Sequence, residues 1–174
     1  EELRADDVAW SPSAIRDFGQ MIETQARRLH HLMTNLLDLS RIEAGALRPQ
    51  RGWYNIAEII HSVLDRLAAE LAERPLELLV VDDLPLVPID YVQLEQVLWN
   101  ILENALKYSP PTSPITIAAA MQDATLRIQI GDRGPGIPHA ERTRVFEKFY
   151  RLPQPEGVSM PGTGIGLAIC KGLI

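Results

Sequence analysis

The sequence predicts an α+β fold, a two-layer α/β sandwich preceded by one long helix. Three patterns predict it: an N-terminal heptad stripe of apolar residues, two later amphipathic helix patterns, and β-type runs between and after them. After the first helix the order is helix, strand, strand, helix, strand, strand. This order favours helices packed on a sheet over a barrel of alternating strands and helices.

The composition is that of a folded globular chain. Of the 174 residues, 46% are hydrophobic and 23% are charged, which excludes disordered and collagen-like classes. The net charge of −6 without a basic block argues against nucleic acid as a partner. The single cysteine, Cys170, excludes an internal disulfide. The longest apolar runs fall far short of the ~18 residues that span a bilayer, so we expect no membrane contact.

The first element is a helix over residues 15–39. Apolar residues recur there at steps of three and four, which is a heptad pattern with a narrow stripe that needs a partner helix. Gly45 and the RPQRG sequence that follows shortly after it end the pattern. We therefore divide the chain near 45–52 into a helical domain, 1–45, and a globular domain, 46–174.

The globular domain begins with a helix and two strands. Asn55 followed by Glu58 is a capping box for an amphipathic helix that extends to Leu71 and stops before Pro75. The run LELLVV and the proline-bounded run LPLVPI then predict two strands.

A second helix and a hairpin follow. Asp90 caps a helix that runs to about Tyr108. Alternating runs at 115–121 and 125–132, separated by a short turn, predict a β-hairpin.

One face of the helix at 90–108 suits a metal-bound phosphate. Asn100, Asn104 and Lys107 are spaced at i, i+4 and i+7, so we expect them to face outward together, with Tyr108 at the margin. An Asn carbonyl is an acceptable Mg²⁺ ligand, Lys is a point charge for phosphate, and Tyr adds a hydroxyl donor. An ordinary solvated helix face is the alternative that this helix leaves open.

Two glycine-rich segments add to this pattern. In GDRGPGIP, Asp132 ends a strand beside glycines that permit close approach of a ligand. Its carboxylate could accept from a purine amine under apolar cover from Ile137, although a simple turn is the alternative. In PGTGIGLAI, glycines before a helix start suit backbone donors aimed at an anion. A dinucleotide fingerprint is excluded there, because no strand precedes it and its spacing differs.

Taken in order, NILENALKYS, DRGPGIP, VFEKFYR and PGTGIGLAIC resemble the four nucleotide-binding boxes of sensor histidine kinases, which belong to the gyrase, Hsp90, histidine kinase and MutL ATPase superfamily. LMTNLLDLSRIEAGAL is similar to the second helix of the kinase dimerisation domain. Within this family, the sequence is most similar to Kdp-type, potassium-responsive sensor kinases. The resemblance covers nearly the whole chain and implies the two-layer sandwich of this ATPase type.

The resemblance implies roles for individual residues. Asn104 would coordinate Mg²⁺ with help from Asn100, and Lys107 and Tyr108 would contact the phosphates or ribose of ATP. Asp132 would bind the adenine amine. Further nucleotide contacts would be Gly134, Gly136 and Ile137 around the adenine, Lys148 and Arg151 towards the γ-phosphate, and Gly162, Thr163, Gly164, Gly166 and Leu167 at a lid formed by residues 152–161.

The implied activity is transfer of the γ-phosphoryl group of Mg-ATP to a histidine on an upstream helix, for relay to an aspartate of a response regulator. The acceptor motif is absent, and His30, His31, His61 and His139 are interpreted as ordinary structural positions. We therefore expect no autophosphorylation by this chain alone. The resemblance further implies a homodimer through the stalk, a cytoplasmic location, a parent protein anchored in the bacterial inner membrane, and a domain that continues beyond Ile174.

Two other functions stay open. An ATP-hydrolysing member of the superfamily would carry an acidic base four residues before the metal-binding Asn, but that position is Asn100, which cannot take a proton. Glu103 is the nearest acid and is either a helper that polarises the acceptor imidazole or a solvated carboxylate. The second alternative is a dimerisation module without activity, against which Asn104, Asp132 and the lid glycines argue.

Overall fold

The computed structural model describes residues 10–81, 83–153 and 162–174, without the side chains of Thr24, Arg27, Arg28, His30 and His31. The chain forms two compact units, one ending at Leu37 and the other beginning at Asp38. The division lies inside the first helix, whereas the sequence placed a domain boundary at 45–52, where that helix ends. None of the helices in the described residues is long and apolar enough to cross a membrane.

Helix α1, Pro12–Glu43, is the predicted long helix. Ser11 begins it by accepting a hydrogen bond on its hydroxyl from the Ala14 amide at 3.1 Å. Gly45, at φ 60°, ends it in a Schellman motif, because the Ala46 amide donates to the Arg41 carbonyl at 2.9 Å. In the first unit, four residues of its apolar stripe each have more than half of their surface exposed: Ile15, Ile22, Leu29 and Leu36.

Helices α2, Ile56–Arg66, and α3, Ala68–Leu71, replace the single helix that the sequence predicted up to Leu71. Of the predicted capping box, the N-cap at Asn55 is confirmed, since its side chain accepts from the Ala57 amide at 2.9 Å. Leu67 interrupts the helix, and its buried side chain anchors the break in the core.

Helix α4, Tyr91–Tyr108, begins where the sequence predicted it. One carboxylate oxygen of Asp90 accepts from the Gln93 amide at 3.1 Å, and the other accepts from the Gln50 amide at 2.7 Å. At the other end, the Arg74 guanidinium donates to the carbonyl of Leu106 at 3.2 Å and to the hydroxyl of Ser109. This cation compensates the unpaired carbonyls of the last turn.

The strands form two small sheets. Strands β2, Leu76–Val80, β4, Ile115–Gln122, and β5, Thr125–Gly131, lie in the order β2-β4-β5. β2 is parallel to β4, and β4 and β5 form the predicted antiparallel hairpin, with Asp123 at φ 55° in the turn. The second sheet pairs β1, Gly52–Tyr54, with β3, Val87–Ile89. The sequence did not predict β1, because a three-residue run carries no periodicity.

The core confirms the predicted α/β sandwich. Helices α2 and α4 contribute Ile56, Ile59, Val63 and Leu102, and β4 contributes Ile115 and Ile117, all with at most 1% of their surface exposed. Burying one such aliphatic side chain stabilises the fold by about 1.5 to 3 kcal/mol. A second apolar cluster joins the end of α1, through Leu39 and Ile42, to Ile165, Ile169 and Leu173 around helix α5, Gly166–Leu173.

Candidate functional site

Lys107 connects the polar face of α4 to the glycine segment that precedes α5. Its ammonium lies 4.8 Å from the centre of the Tyr108 ring, within cation–π range. The same ammonium packs against Gly162, where a side chain would collide with it. The first and fourth of the sequence segments are therefore in direct contact, although more than fifty residues separate them. Asn104, one turn before Lys107, is half-buried, and Glu103 is exposed.

Asn100 does not face outward, so that expectation was wrong. Only 3% of its surface is exposed, because α5 packs over this side of α4. A Cβ added to Gly166 would lie 3.5 Å from the Asn100 carboxamide oxygen, and the Asn100 side chain also interacts with the Cys170 thiol. The catalytic role that the resemblance implied for Asn100 stays a prediction.

Cys170 was not singled out by the sequence as a site residue, yet it lies directly beside Asn100. Its sulfur is 3.8 Å from the Val97 carbonyl oxygen, and its side chain is buried. Burial raises the pKa of the thiol to about 11, against a smaller opposing effect of the Asn100 side chain. The thiol is therefore protonated and unreactive at neutral pH.

The segment after β5 folds back onto the end of α4. One oxygen of the exposed Asp132 carboxylate accepts from the Gly134 amide at 2.6 Å. A Cβ on Gly134 would lie 3.0 Å from the carbonyl oxygen of Tyr108, so a glycine is needed for this approach. Gly136 has φ 72°, which also favours glycine, and Ile137 is 39% exposed.

A cleft of about 550 Å³ opens between the end of α4 and the loop that follows β5. It is lined mainly by apolar surface from residues 106–111 at the end of α4 and 133–135 of the following loop. Lys107, Tyr108 and Gly134 therefore line the same cleft, whereas Asn104 and Asp132 are not among its lining residues.

The third segment, VFEKFYR, is tied to the fourth through backbone contacts. Phe149 has φ 62°, uncommon for a residue with a side chain, and its amide donates to the Gly164 carbonyl at 3.0 Å. Gly164 has φ 72°, and a Cβ there would lie 2.8 Å from the Tyr150 carbonyl oxygen. Only glycine fits this position.

The two cations of the third segment have different surroundings. Lys148, expected near the γ-phosphate, forms an ion pair with Glu43 at the end of α1. Arg151 is exposed. At the start of α5, Thr163 is exposed and Leu167 is half-buried. Most of the expected lid, residues 154–161, lies outside the described residues.

Sequence reasoning missed a side-chain cluster beside this segment. The Tyr150 hydroxyl donates to the Glu141 carboxylate, and Arg144 pairs with the same carboxylate at 3.2 Å. The Arg144 guanidinium also lies 4.4 Å from the centre of the Tyr150 ring. The position of Tyr150 between Lys148 and Arg151 was the signal that could have found it.

Comparison with known proteins gives concordant matches. The family model described as "Histidine kinase-, DNA gyrase B-, and HSP90-like ATPase" matches residues 89–174. The sensor protein KdpD of Escherichia coli is 36% identical over 143 residues, which are 82% of this chain and 16% of KdpD. The chain thus spans well under half the length of this curated relative.

Solved structures match as well. The mycobacterial sensor histidine kinase MprB is 34% identical, with 72% of this chain and 76% of that chain covered and a TM-score of 0.59. Full-length ShkA in complex with AMPPNP is 24% identical, with 97% and 35% covered and a TM-score of 0.72. ThkA in complex with the response regulator protein TrrA is 19% identical, with 99% and 48% covered and a TM-score of 0.65. The last two likenesses concern the fold alone.

Proposed function

Because the chain belongs to the sensor histidine kinases, within the histidine kinase-, DNA gyrase B- and HSP90-like ATPases, we propose that it binds Mg-ATP and transfers the γ-phosphoryl group to a histidine of an upstream helix. The observation that carries this proposal is the contact of Lys107 with Gly162. It joins a cation on α4 to the glycine segment, so that a phosphate chain bound beside them would meet both a positive charge and backbone amides.

Asp132 is the proposed adenine-binding residue. The Gly134 amide holds one of its oxygens at 2.6 Å, which orients the carboxylate. The second oxygen would accept a hydrogen bond from the exocyclic amine of adenine. Guanine presents a carbonyl oxygen at that place, and two facing acceptors repel each other. The site should therefore prefer ATP over GTP.

The chemistry of the side chains fits a magnesium ion that arrives with the nucleotide. Mg²⁺ usually takes one or two protein oxygens and completes its shell with water and phosphate oxygens. Asn104 would supply one amide oxygen, and no cluster of His, Cys, Asp and Glu among the described residues is suited to hold a metal by itself. When bound, the ion would neutralise charge on the β- and γ-phosphate oxygens.

The remaining residues of the site would position the γ-phosphate and protect it from water. Arg151 would stabilise the charge that develops during transfer. Asn100, one turn before Asn104, is a buried amide that cannot activate water, so hydrolysis should be slow. The exposed Glu103 would polarise the acceptor imidazole.

The same family membership supports proposals about partners and location. The exposed stripe of α1 at Ile15, Ile22, Leu29 and Leu36 would pair with the stripe of a second copy in the intact protein. A response regulator would receive the phosphoryl group. We infer that this part of the protein lies in the cytoplasm and that its parent is anchored in the bacterial inner membrane.

The decisive experiment supplies γ-labelled ATP and Mg²⁺ to the chain, first alone and then with a separate helix that bears the acceptor histidine. We expect label on the added helix, none on His30 or His31, and little released phosphate. Arg151→Ala should reduce transfer by orders of magnitude. Rapid phosphate release without the helix would instead favour the ATP-hydrolysing alternative, and the absence of ATP binding would leave only a dimerisation module.

A further inference from the structure

The side chain of Tyr150 contacts two charged residues. Its hydroxyl donates to the Glu141 carboxylate, and the Arg144 guanidinium lies 4.4 Å from the centre of its ring. Arg144 and Glu141 are themselves paired at 3.2 Å, so the three side chains form a closed triangle. The hydrogen bond to Glu141 is the largest cause that raises the pKa of the Tyr150 phenol.

The main chain of Tyr150 lies close to Gly164 in the glycine segment that precedes α5. A Cβ on Gly164 would be 2.8 Å from the Tyr150 carbonyl oxygen, and the preceding residue, Phe149, donates its amide to the Gly164 carbonyl at 3.0 Å. Phe149 has φ 62°, a backbone conformation that is uncommon for a residue with a side chain and persists only where surrounding contacts hold it.

The next residue in the chain is Arg151, the proposed γ-phosphate contact. Adjacent residues share a planar peptide bond, so a fixed main chain at Tyr150 restricts the direction from which the Arg151 side chain starts. The triangle with Glu141 and Arg144 fixes Tyr150 by its side chain. The main chain is held by the hydrogen bond of the Phe149 amide to the Gly164 carbonyl and by that of the Tyr150 amide to the Glu147 carbonyl at 3.3 Å.

We propose that Tyr150 is a positioning residue for phosphoryl transfer. Its side chain is anchored by Glu141 and Arg144, and its main chain determines how Arg151 approaches the γ-phosphate. The same main chain packs against Gly164. This inference rests on the proposed function, because it needs ATP in the site. It predicts that Tyr150 affects recognition of the third phosphate more than recognition of the rest of the nucleotide.

The test measures the dissociation constants of Mg-ATP and Mg-ADP by isothermal titration. Tyr150→Phe keeps the ring under Arg144 and removes the hydroxyl. We expect the preference for ATP over ADP to fall about three- to tenfold, the range that one hydrogen bond confers, while ADP affinity stays unchanged. Glu141→Gln, which retains an acceptor, should keep most of the preference, and Glu141→Ala should lose it.

Tyr54→Phe is the matched control. Tyr54 lies on β1, where its ring contacts that of Tyr91 at 5.5 Å, far along the chain from VFEKFYR. It should keep the wild-type preference. Arg151→Ala gives the reference loss.

The outcomes separate the inference from the proposed function. Equal loss of ATP and ADP affinity in Tyr150→Phe would mean a merely structural role and would overturn the inference, as would an unchanged preference. An Arg151→Ala variant with the wild-type preference would overturn it too, since Tyr150 would have nothing to position. If the wild-type chain bound neither nucleotide, the proposed function itself would fail.

Discussion

Gly172 of helix α5 and Ile42 of helix α1 are in such close contact that a Cβ on Gly172 would lie 2.8 Å from two carbons of the Ile42 side chain. The last turns of α1 thus pack on α5, with Leu39, Ile165 and Ile169 in the same apolar cluster. Gly172 lies in the last turn of α5. Its missing side chain permits the contact.

The first prediction concerns this contact. Gly172→Ala should lower the free energy of unfolding by about 1 kcal/mol or more, because Ile42 must shift and the cluster is overpacked. Gly19→Ala is the control, since Gly19 lies inside α1 with nothing within 4 Å of an added Cβ. It should raise helix stability by up to ~1 kcal/mol. Urea denaturation of both variants measures the difference, and equal effects would contradict the packing.

The second prediction concerns pH. The pKa of the Cys170 thiol is raised from 9.0 to about 11 by burial. Below pH 9 the thiol is protonated in both states, so this stability is fully present. Between pH 9 and 11 the unfolded thiol loses its proton first, and about 2 to 3 kcal/mol of stability should be lost.

Other groups also titrate in that range, so the comparison with Cys170→Ala isolates the thiol. The variant should unfold more easily at pH 8, because a buried sulfur is deleted. Its stability should then decline less between pH 9 and 11 than that of the wild-type chain. Parallel pH profiles would show that the Cys170 pKa is not raised.

The third prediction concerns the metal. Asn104→Ala should weaken ATP binding in Mg²⁺ more than tenfold, because the ion loses its proposed protein ligand. In EDTA the variant and the wild-type chain should bind ATP about equally, which makes the metal-free titration an internal control. A loss of the same size with and without Mg²⁺ would assign Asn104 to the nucleotide instead.

The fourth prediction concerns the stripe on α1. Leu29 is 60% exposed and Ile22 is 58% exposed, and in a form that includes the upstream helix these residues should be buried between two copies. Leu29→Lys should then shift sedimentation towards the monomer, whereas Asp17→Lys, which changes an exposed flanking residue, should not. A wild-type form that stays monomeric at high micromolar concentration would refute the dimer.

Local signals in the sequence determined most of the fold. Asn55 and Asp90 cap their helices as predicted, because a cap depends only on the nearest few residues. The Schellman end at Gly45 and the hairpin around Asp123 are local for the same reason. The sequence also identified the family through four ordered segments, and the comparisons confirm it.

Only the tertiary structure decided which side chains the neighbouring elements cover. Helical spacing placed Asn100 on one face with Asn104, but α5 packs over Asn100 and leaves it buried beside Cys170. The ion pair of Lys148 with Glu43 likewise joins residues that are far apart in the sequence. The physical reason is that periodicity reports the direction of a side chain from its own helix axis, whereas burial depends on what other segments place there.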